Sequence, residues 1–305
     1  MTLQGCGTAL VTPFHPDGSL DEPALTAHVR SQVENGVALL IPCGTTGEAS
    51  TLTEAETDRV INLTIQAAEA ATKPGASRVP IFAGCTHNST AQAVSNAKRL
   101  ARIPNLTGLL TANPYYNRPN QEGQFQHFKA IAEAVDLPIL LYNIPSRTAT
   151  NLLPETVLRL TEIPNIIGIK ESSGVMSQIT ELLTHAPAHF SILAGDDALA
   201  LPVIALGGRG VVSVASNAIP GPMSQMVDAA LLGTPDSWAE ARTLNARYFA
   251  LMQAHFIEPS PAPIKATMSL LGRCHETLRL PMVPVTEATR TKLKSLLQSL
   301  NLLPQ

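Results

Sequence analysis

Of the seven lysines in the 305-residue chain, only Lys170 closes a strand-like apolar run, Ile166-Ile167-Gly168-Ile169-Lys170. An ammonium group held away from water gives up its proton more readily, and the neutral amine can then attack a keto acid to form an imine. The iminium acts as an electron sink, so the adjacent carbon loses a proton and becomes a nucleophile. The alternative is a strand-end lysine that reaches solvent.

Such chemistry needs a proton shuttle and an anion site. Tyr142 and Tyr116 follow apolar runs, and Thr45 could join them through hydrogen bonds. Three of the four tyrosines fall at strand ends, which favours function over packing with the hydroxyl at the rim. Gly44-Thr45-Thr46-Gly47 could offer amides and hydroxyls to a carboxylate, although most such stretches are only turns. Arg147 could clamp a second carboxylate with two parallel hydrogen bonds, or could simply be a surface arginine.

These residues need a frame. Apolar runs recur at Thr8–Val11, Ala38–Ile41, Val79–Ala83, Gly108–Thr111, Ile139–Tyr142, Ile166–Lys170, Ser191–Ala194 and Val211–Val214. The first six begin roughly 30 residues apart, the length of one βα unit, and their continuous apolar character suits parallel strands buried on both faces. Helical patterns fill the gaps. Thr53-Glu54-Ala55-Glu56 is a capping box ahead of Val60, Ile61, Thr64 and Ile65; Asn88 is expected to cap a helix with inner face Ala91, Val94, Ala97 and Leu100; and Leu153-Pro154-Glu155 opens another. The expected architecture is α/β, a (β/α)8 TIM barrel over 1–221 with a C-terminal helical extension over 222–305. In that extension Met223–Leu232, Trp238–Phe256, Ile264–Leu271 and Glu287–Leu300 have helical patterns.

Other constellations fall away. His185 and His189 are separated by Pro187, so no helical metal site is expected, and none is expected elsewhere. Asp196-Asp197 is assigned to a helix cap rather than a cation, and Gly207-Gly208-Arg209-Gly210 to a tight turn at the opposite face. The formal net charge of −3 offers no surplus to neutralise nucleic-acid phosphates. With no apolar run near 18 residues, no leader pattern and four scattered cysteines, a cytoplasmic protein with reduced thiols is expected.

In their order, Gly44–Glu48, Asn113–Pro119, Leu141–Thr148, Ile166–Glu171, Gly195–Asp197, Gly210–Val214 and Thr277–Met282 resemble the dihydrodipicolinate synthase / N-acetylneuraminate lyase family of class I aldolases. The similarity runs from about Gly5 to the C-terminus. It implies a lyase of the carbon–oxygen class that condenses pyruvate with L-aspartate 4-semialdehyde, on the way to diaminopimelate and lysine. It also implies that Lys170 holds pyruvate as a covalent imine with no further cofactor, that Tyr142 is the general acid/base, and that Thr45 and Tyr116 complete the relay. Tyr116 would arrive from a partner across a tight dimer interface, within a homotetramer. Thr46 would hold the pyruvate carboxylate, the backbones of Gly195 and Val212 would line the pocket, and Arg147 would receive the aldehyde's carboxylate. Relatives on this barrel cleave N-acetylneuraminate or 2-keto-3-deoxy sugar acids; Thr45-Thr46 in place of Ser-Thr, together with Arg147, favours the synthase.

Departures from the family pattern concern regulation. The resemblance implies an allosteric set of Ser50, Glu54, Asn88, Gln92 and Tyr115. Asn88 and Tyr115 are retained, whereas Glu54, Thr57 and Gln92 stand where lysine-inhibited members carry histidines and a glutamate. Gln92 offers no charge to a bound ammonium, so inhibition by lysine is expected to be weak or absent. The loop Lys73–Ser77 is longer than the family usually carries, and the sequence assigns it no role.

Overall fold

The apolar runs form eight parallel strands: β1 (Gly5–Ala9), β2 (Leu39–Ile41), β3 (Phe82–Gly84), β4 (Gly108–Ala112), β5 (Ile139–Asn143), β6 (Ile166–Glu171), β7 (Ser191–Ala194) and β8 (Gly210–Ser213). The computed structural model describes residues 1–303. Strands follow one another as β2-β1-β8-β7-β6-β5-β4-β3, and a parallel bridge between Leu40 and Ile81 brings the two ends together. The sheet thereby curls into the expected barrel. Ile41, Phe82, Leu110, Leu140, Leu193 and Val212 fill its interior as one buried cluster.

Between the strands run α1 (Glu22–Glu34), α2 (Glu54–Ala71), α3 (Thr90–Leu100), α4 (Gln121–Glu133), the short α5 (Pro145–Thr148), α6 (Pro154–Leu160), α7 (Met176–His185) and α8 (Ala200–Ala205). The capping box of α2 forms in full: the Glu56 amide donates to Thr53 Oγ1 at 3.2 Å, and the Thr53 amide to Glu56 Oε2 at 2.9 Å. Val60, Ile61, Thr64 and Ile65 are buried as expected. Helix α3 departs from expectation. The Ser89 amide donates to His87 Nδ1 at 2.9 Å, Ser89 becomes the N-cap in place of Asn88, and the buried face is Ala93, Ala97 and Leu100. The Asn88 carbonyl accepts instead from Asn117 Nδ2.

Strand limits moved where donors are missing or captured. Pro80 has no N–H, and the third strand pairs with β4 from Phe82 rather than from Val79. The Val214 and Ala215 amides donate to the buried Asp197 Oδ2, which draws the chain out of β8 after Ser213. Asp196 accepts from the Ala198 amide, which is the expected cap.

The last helices are α9 (Pro220–Leu232), α10 (Pro235–Ala254), α11 (Ala262–Leu270) and α12 (Glu287–Ser299). Met223, Leu251, Ile264 and Leu293 share one buried cluster with Cys6 and Val211 of the barrel. The 221/222 division falls inside α9.

Candidate active site

Register decides which strand-end side chains meet. β5 and β6 pair Tyr142 with Lys170, so both side chains leave the same face of the sheet, toward the barrel interior. Lys170 is 4% exposed, and its Nζ lies 4.3 Å from the centroid of the Tyr142 ring. The ring face attracts an ammonium and also shields the amine from water. Gly195, just past β7, makes room for the lysine stem. A Cβ there would collide with Ser172 Oγ and stand 3.1 Å from both Cγ and Cε of Lys170.

Behind this pair, the next residues of the same strands form a buried polar brace. Asn143 Nδ2 donates to Glu171 Oε2 at 3.0 Å, Asn113 Nδ2 donates to Asn143 Oδ1 at 3.1 Å, and the Ser173 amide donates to Glu171 Oε1 at 2.6 Å. Burial pushes the Glu171 carboxyl above its ordinary range, and these hydrogen bonds oppose the shift. The ends of β4, β5 and β6 are thus tied together next to Lys170.

The threonine turn follows β2. Thr45 is exposed and Thr46 buried. Thr12 Oγ1 donates to the Gly47 carbonyl at 2.7 Å, fixing the turn to the end of β1. Glu48 adopts a left-handed backbone with φ 53° and sends its carboxylate inward to an ion pair with Lys265 of α11. Lys265 is fully buried, donates to the Thr277 carbonyl at 2.8 Å, and lies 4.2 Å from the Phe14 ring centroid. The Arg279 amide donates to Glu48 Oε2 at 3.1 Å. The C-terminal segment therefore holds the threonine turn from behind. Sequence reasoning gave Glu48 and Lys265 no role; the available signal was the one charged residue in the mostly apolar Pro263–Leu271 stretch.

A cavity of about 650 Å³ opens at this end of the barrel. Thr45, Tyr142 and Arg147 line it, as do Ser50, Glu54, Gln92 and Tyr115 of the suggested allosteric set. Arg147 sits on α5 and donates to the Ser260 carbonyl at 3.0 Å. Lys170 and Thr46 are buried beside the cavity wall, next to Tyr142 and Thr45 respectively. Val212 is buried in the interior cluster that includes Tyr142, and Asn88 is not among the lining residues. Tyr116 is the outlier. It is 89% exposed, has φ 73°, and is absent from the lining of the cavity formed by a single chain.

A parallel (β/α)8 barrel with its polar groups gathered at the carboxyl ends of the strands is the architecture of a barrel enzyme. A model of the dihydrodipicolinate synthetase family matches residues 2–300, and the chain belongs to that family. It is 55% identical over 304 residues to the 4-hydroxy-tetrahydrodipicolinate synthase of Acidobacterium capsulatum, covering 99% of this chain and 97% of the relative. The 4-hydroxy-tetrahydrodipicolinate synthase structure from Methylacidiphilum fumariolicum aligns with a TM-score of 0.92 at 42% identity, covering 98% of this chain and 96% of that one. The chloride-inhibited dihydrodipicolinate synthase from Acinetobacter baumannii, in complex with pyruvate, aligns with a TM-score of 0.93 at 37% identity, covering 99% and 100%. These likenesses support the synthase reading and add nothing to the sugar-acid lyase alternative.

Proposed function

We propose that this chain is a lyase that joins pyruvate to L-aspartate 4-semialdehyde to give 4-hydroxy-tetrahydrodipicolinate, with Lys170 as the covalent catalyst. The observation that carries the reading is the Tyr142–Lys170 register, which seats a buried amine on the ring of a strand-end phenol. The amine adds to the pyruvate keto carbon and water leaves, forming an imine. The methyl group then loses a proton to give an enamine, whose carbon attacks the semialdehyde carbonyl. Attack by the second substrate's own amine closes the ring and releases Lys170. Tyr142 carries protons to and from the keto oxygen and the new hydroxyl. The imine supplies the electron sink, so this chemistry calls for no cofactor or metal.

Thr46 holds the pyruvate carboxylate, with Gly195 and Val212 shaping the floor, and Arg147 receives the carboxylate of the semialdehyde. Thr45 links Tyr142 to Tyr116. The exposure of Tyr116 fits delivery into the cavity of a partner subunit, in a homotetramer built from two tight dimers. The net charge of −3 offers no surplus to neutralise nucleic-acid phosphates, so the anionic substrates are met by local cations such as Arg147. No helix among the described residues is long and apolar enough to cross a membrane, which fits a cytoplasmic biosynthetic enzyme.

Borohydride reduction in the presence of pyruvate, read by peptide mass spectrometry and followed by a coupled assay with the semialdehyde, tests the reading. An adduct on Lys170 with turnover supports it. An adduct without turnover favours the sugar acids, and no adduct on folded protein refutes the mechanism.

A further inference from the structure

Away from the cavity, the loop after β1 folds into a small hairpin. Phe14 and Leu20 form an antiparallel bridge, the His15 amide donates to the Ser19 carbonyl at 2.8 Å, and the Gly18 amide donates to the His15 carbonyl at 2.9 Å. His15 leaves one arm of the hairpin, and Asp21 follows the other as the N-cap of α1. Asp21 Oδ1 accepts from the Ala24 amide at 3.0 Å, so its second oxygen is left for another partner. His275, from the segment between α11 and α12, completes a group of three.

One ligand atom from each of His15, Asp21 and His275 falls within 4.8 Å of the others, and His15 Nδ1 stands 3.8 Å from Asp21 Oδ2. That separation is too long for a hydrogen bond. Bonds of ~2.0–2.2 Å to a tetrahedral zinc ion put ligand atoms roughly 3.3–3.6 Å apart, so small side-chain rotations bring these three to one ion. Both segments are already fixed to each other. Arg279 donates to the Gly18 carbonyl at 2.8 and 3.0 Å, and Lys265, which donates to the Thr277 carbonyl, lies 4.2 Å from the Phe14 ring centroid.

We propose that His15, Asp21 and His275 form a binding site for a divalent transition-metal ion, zinc foremost. Two imidazoles and one carboxylate suit zinc, copper or nickel better than calcium or magnesium, which favour all-oxygen shells. Water completes the coordination, and the bound ion ties the β1–α1 hairpin to the C-terminal segment. None of the three residues lines the cavity at the end of the barrel.

The full-length protein, stripped with a chelator, is titrated with Zn(II) by calorimetry and with Co(II) by visible absorption, in parallel with His275→Ala and with His15→Ala/His275→Ala. The expected result is one equivalent bound by the parent protein without thiolate charge-transfer bands. In His275→Ala the affinity falls by more than the ~10–100-fold that loss of a second-shell partner costs, while circular dichroism and turnover stay unchanged. Zinc raises the melting temperature of the parent and not of the double variant. Absence of stoichiometric uptake by the parent overturns the proposal. So does undiminished uptake by the double variant, which keeps all four cysteines and would place the metal on sulfur.

Discussion

Replacing Lys265 with methionine removes one half of a buried ion pair while keeping most of the side-chain volume. In the parent, the two side chains are 0% and 2% exposed. Burial lowers the lysine's affinity for its proton more than Glu48 raises it, so desolvation outweighs the pair's own attraction. Breaking the pair strands a carboxylate whose remaining partner is the Arg279 amide. Loss of one member of such a pair costs about 3–5 kcal/mol, whereas neutralising both costs far less. That is a large share of a typical folding free energy of roughly 5–15 kcal/mol. Urea unfolding of Lys265→Met, Glu48→Gln and the double variant measures the coupling. The double variant should recover at least ~1 kcal/mol relative to the sum of the single changes. Because Glu48 follows Thr45-Thr46-Gly47, the lysine variant should also raise KM for pyruvate more than it lowers kcat. A cost below about 1 kcal/mol for Lys265→Met, or strict additivity in the double variant, would refute the argument.

Three further outcomes are expected. Tyr142→Phe keeps the nucleophile but loses the phenolic proton carrier, so borohydride still captures pyruvate on Lys170 while turnover drops by about 100-fold or more; near-normal turnover would remove Tyr142 from the relay. Burial holds His28 and His127 down to about 4 and His255 to about 3, against ~6.5 in the unfolded chain. The unfolded chain then binds more protons below pH ~6.5. Stability is full above that value and falls toward pH 4, by up to ~1.4 kcal/mol per pH unit for each histidine. Urea midpoints at pH 7.5, 6 and 5 check this, His28→Asn should flatten the decline, and a midpoint rising toward pH 5 contradicts it. Finally, lysine should inhibit weakly or not at all, since Gln92 donates to Asn96 at 3.0 Å and carries no charge; inhibition at micromolar lysine in a steady-state assay would reject that.

The barrel was legible because its strands are buried on both faces and read as uninterrupted apolar runs, with capping chemistry such as Thr53–Glu56 between them. Strand ends were less so. Pro80 and the capture of the Val214 amide by Asp197 act through hydrogen bonds that periodicity does not register. Lys170 and Tyr142 could be singled out because each closes a run, and their meeting is a matter of strand register. Glu48 and Lys265 belong to segments remote in the chain, and no local pattern joins a turn after β2 to a helix of the extension. His15, Asp21 and His275 were hidden for the same reason. Tyr116 sits in a recognisable motif, but a single chain leaves its side chain outside the cavity.

The junction between β2 and β3 pairs at one register point, as does that between β7 and β8, and the other six junctions are thicker. β2 and β3 each span three residues, and one bridge, Leu40 to Ile81, holds them. Pro42 and Pro80 bring no amide hydrogen to this edge, although their carbonyls accept from Gly84 and Leu40 at 3.0 Å. The cavity lies over this junction, with Cys43, Gly44 and Thr45 on one side and Gly84 and Cys85 on the other. A cylinder yields first under thermal motion at its lightly stitched seams, as a coopered cask leaks at its loosest staves. One of the barrel's two lightly paired seams thus falls at its working end. Amides of 39–41 and 82–84 should exchange with solvent ahead of those of β5 and β6, so the mouth can widen for a second substrate while the strands that aim Lys170 and Tyr142 stay in register.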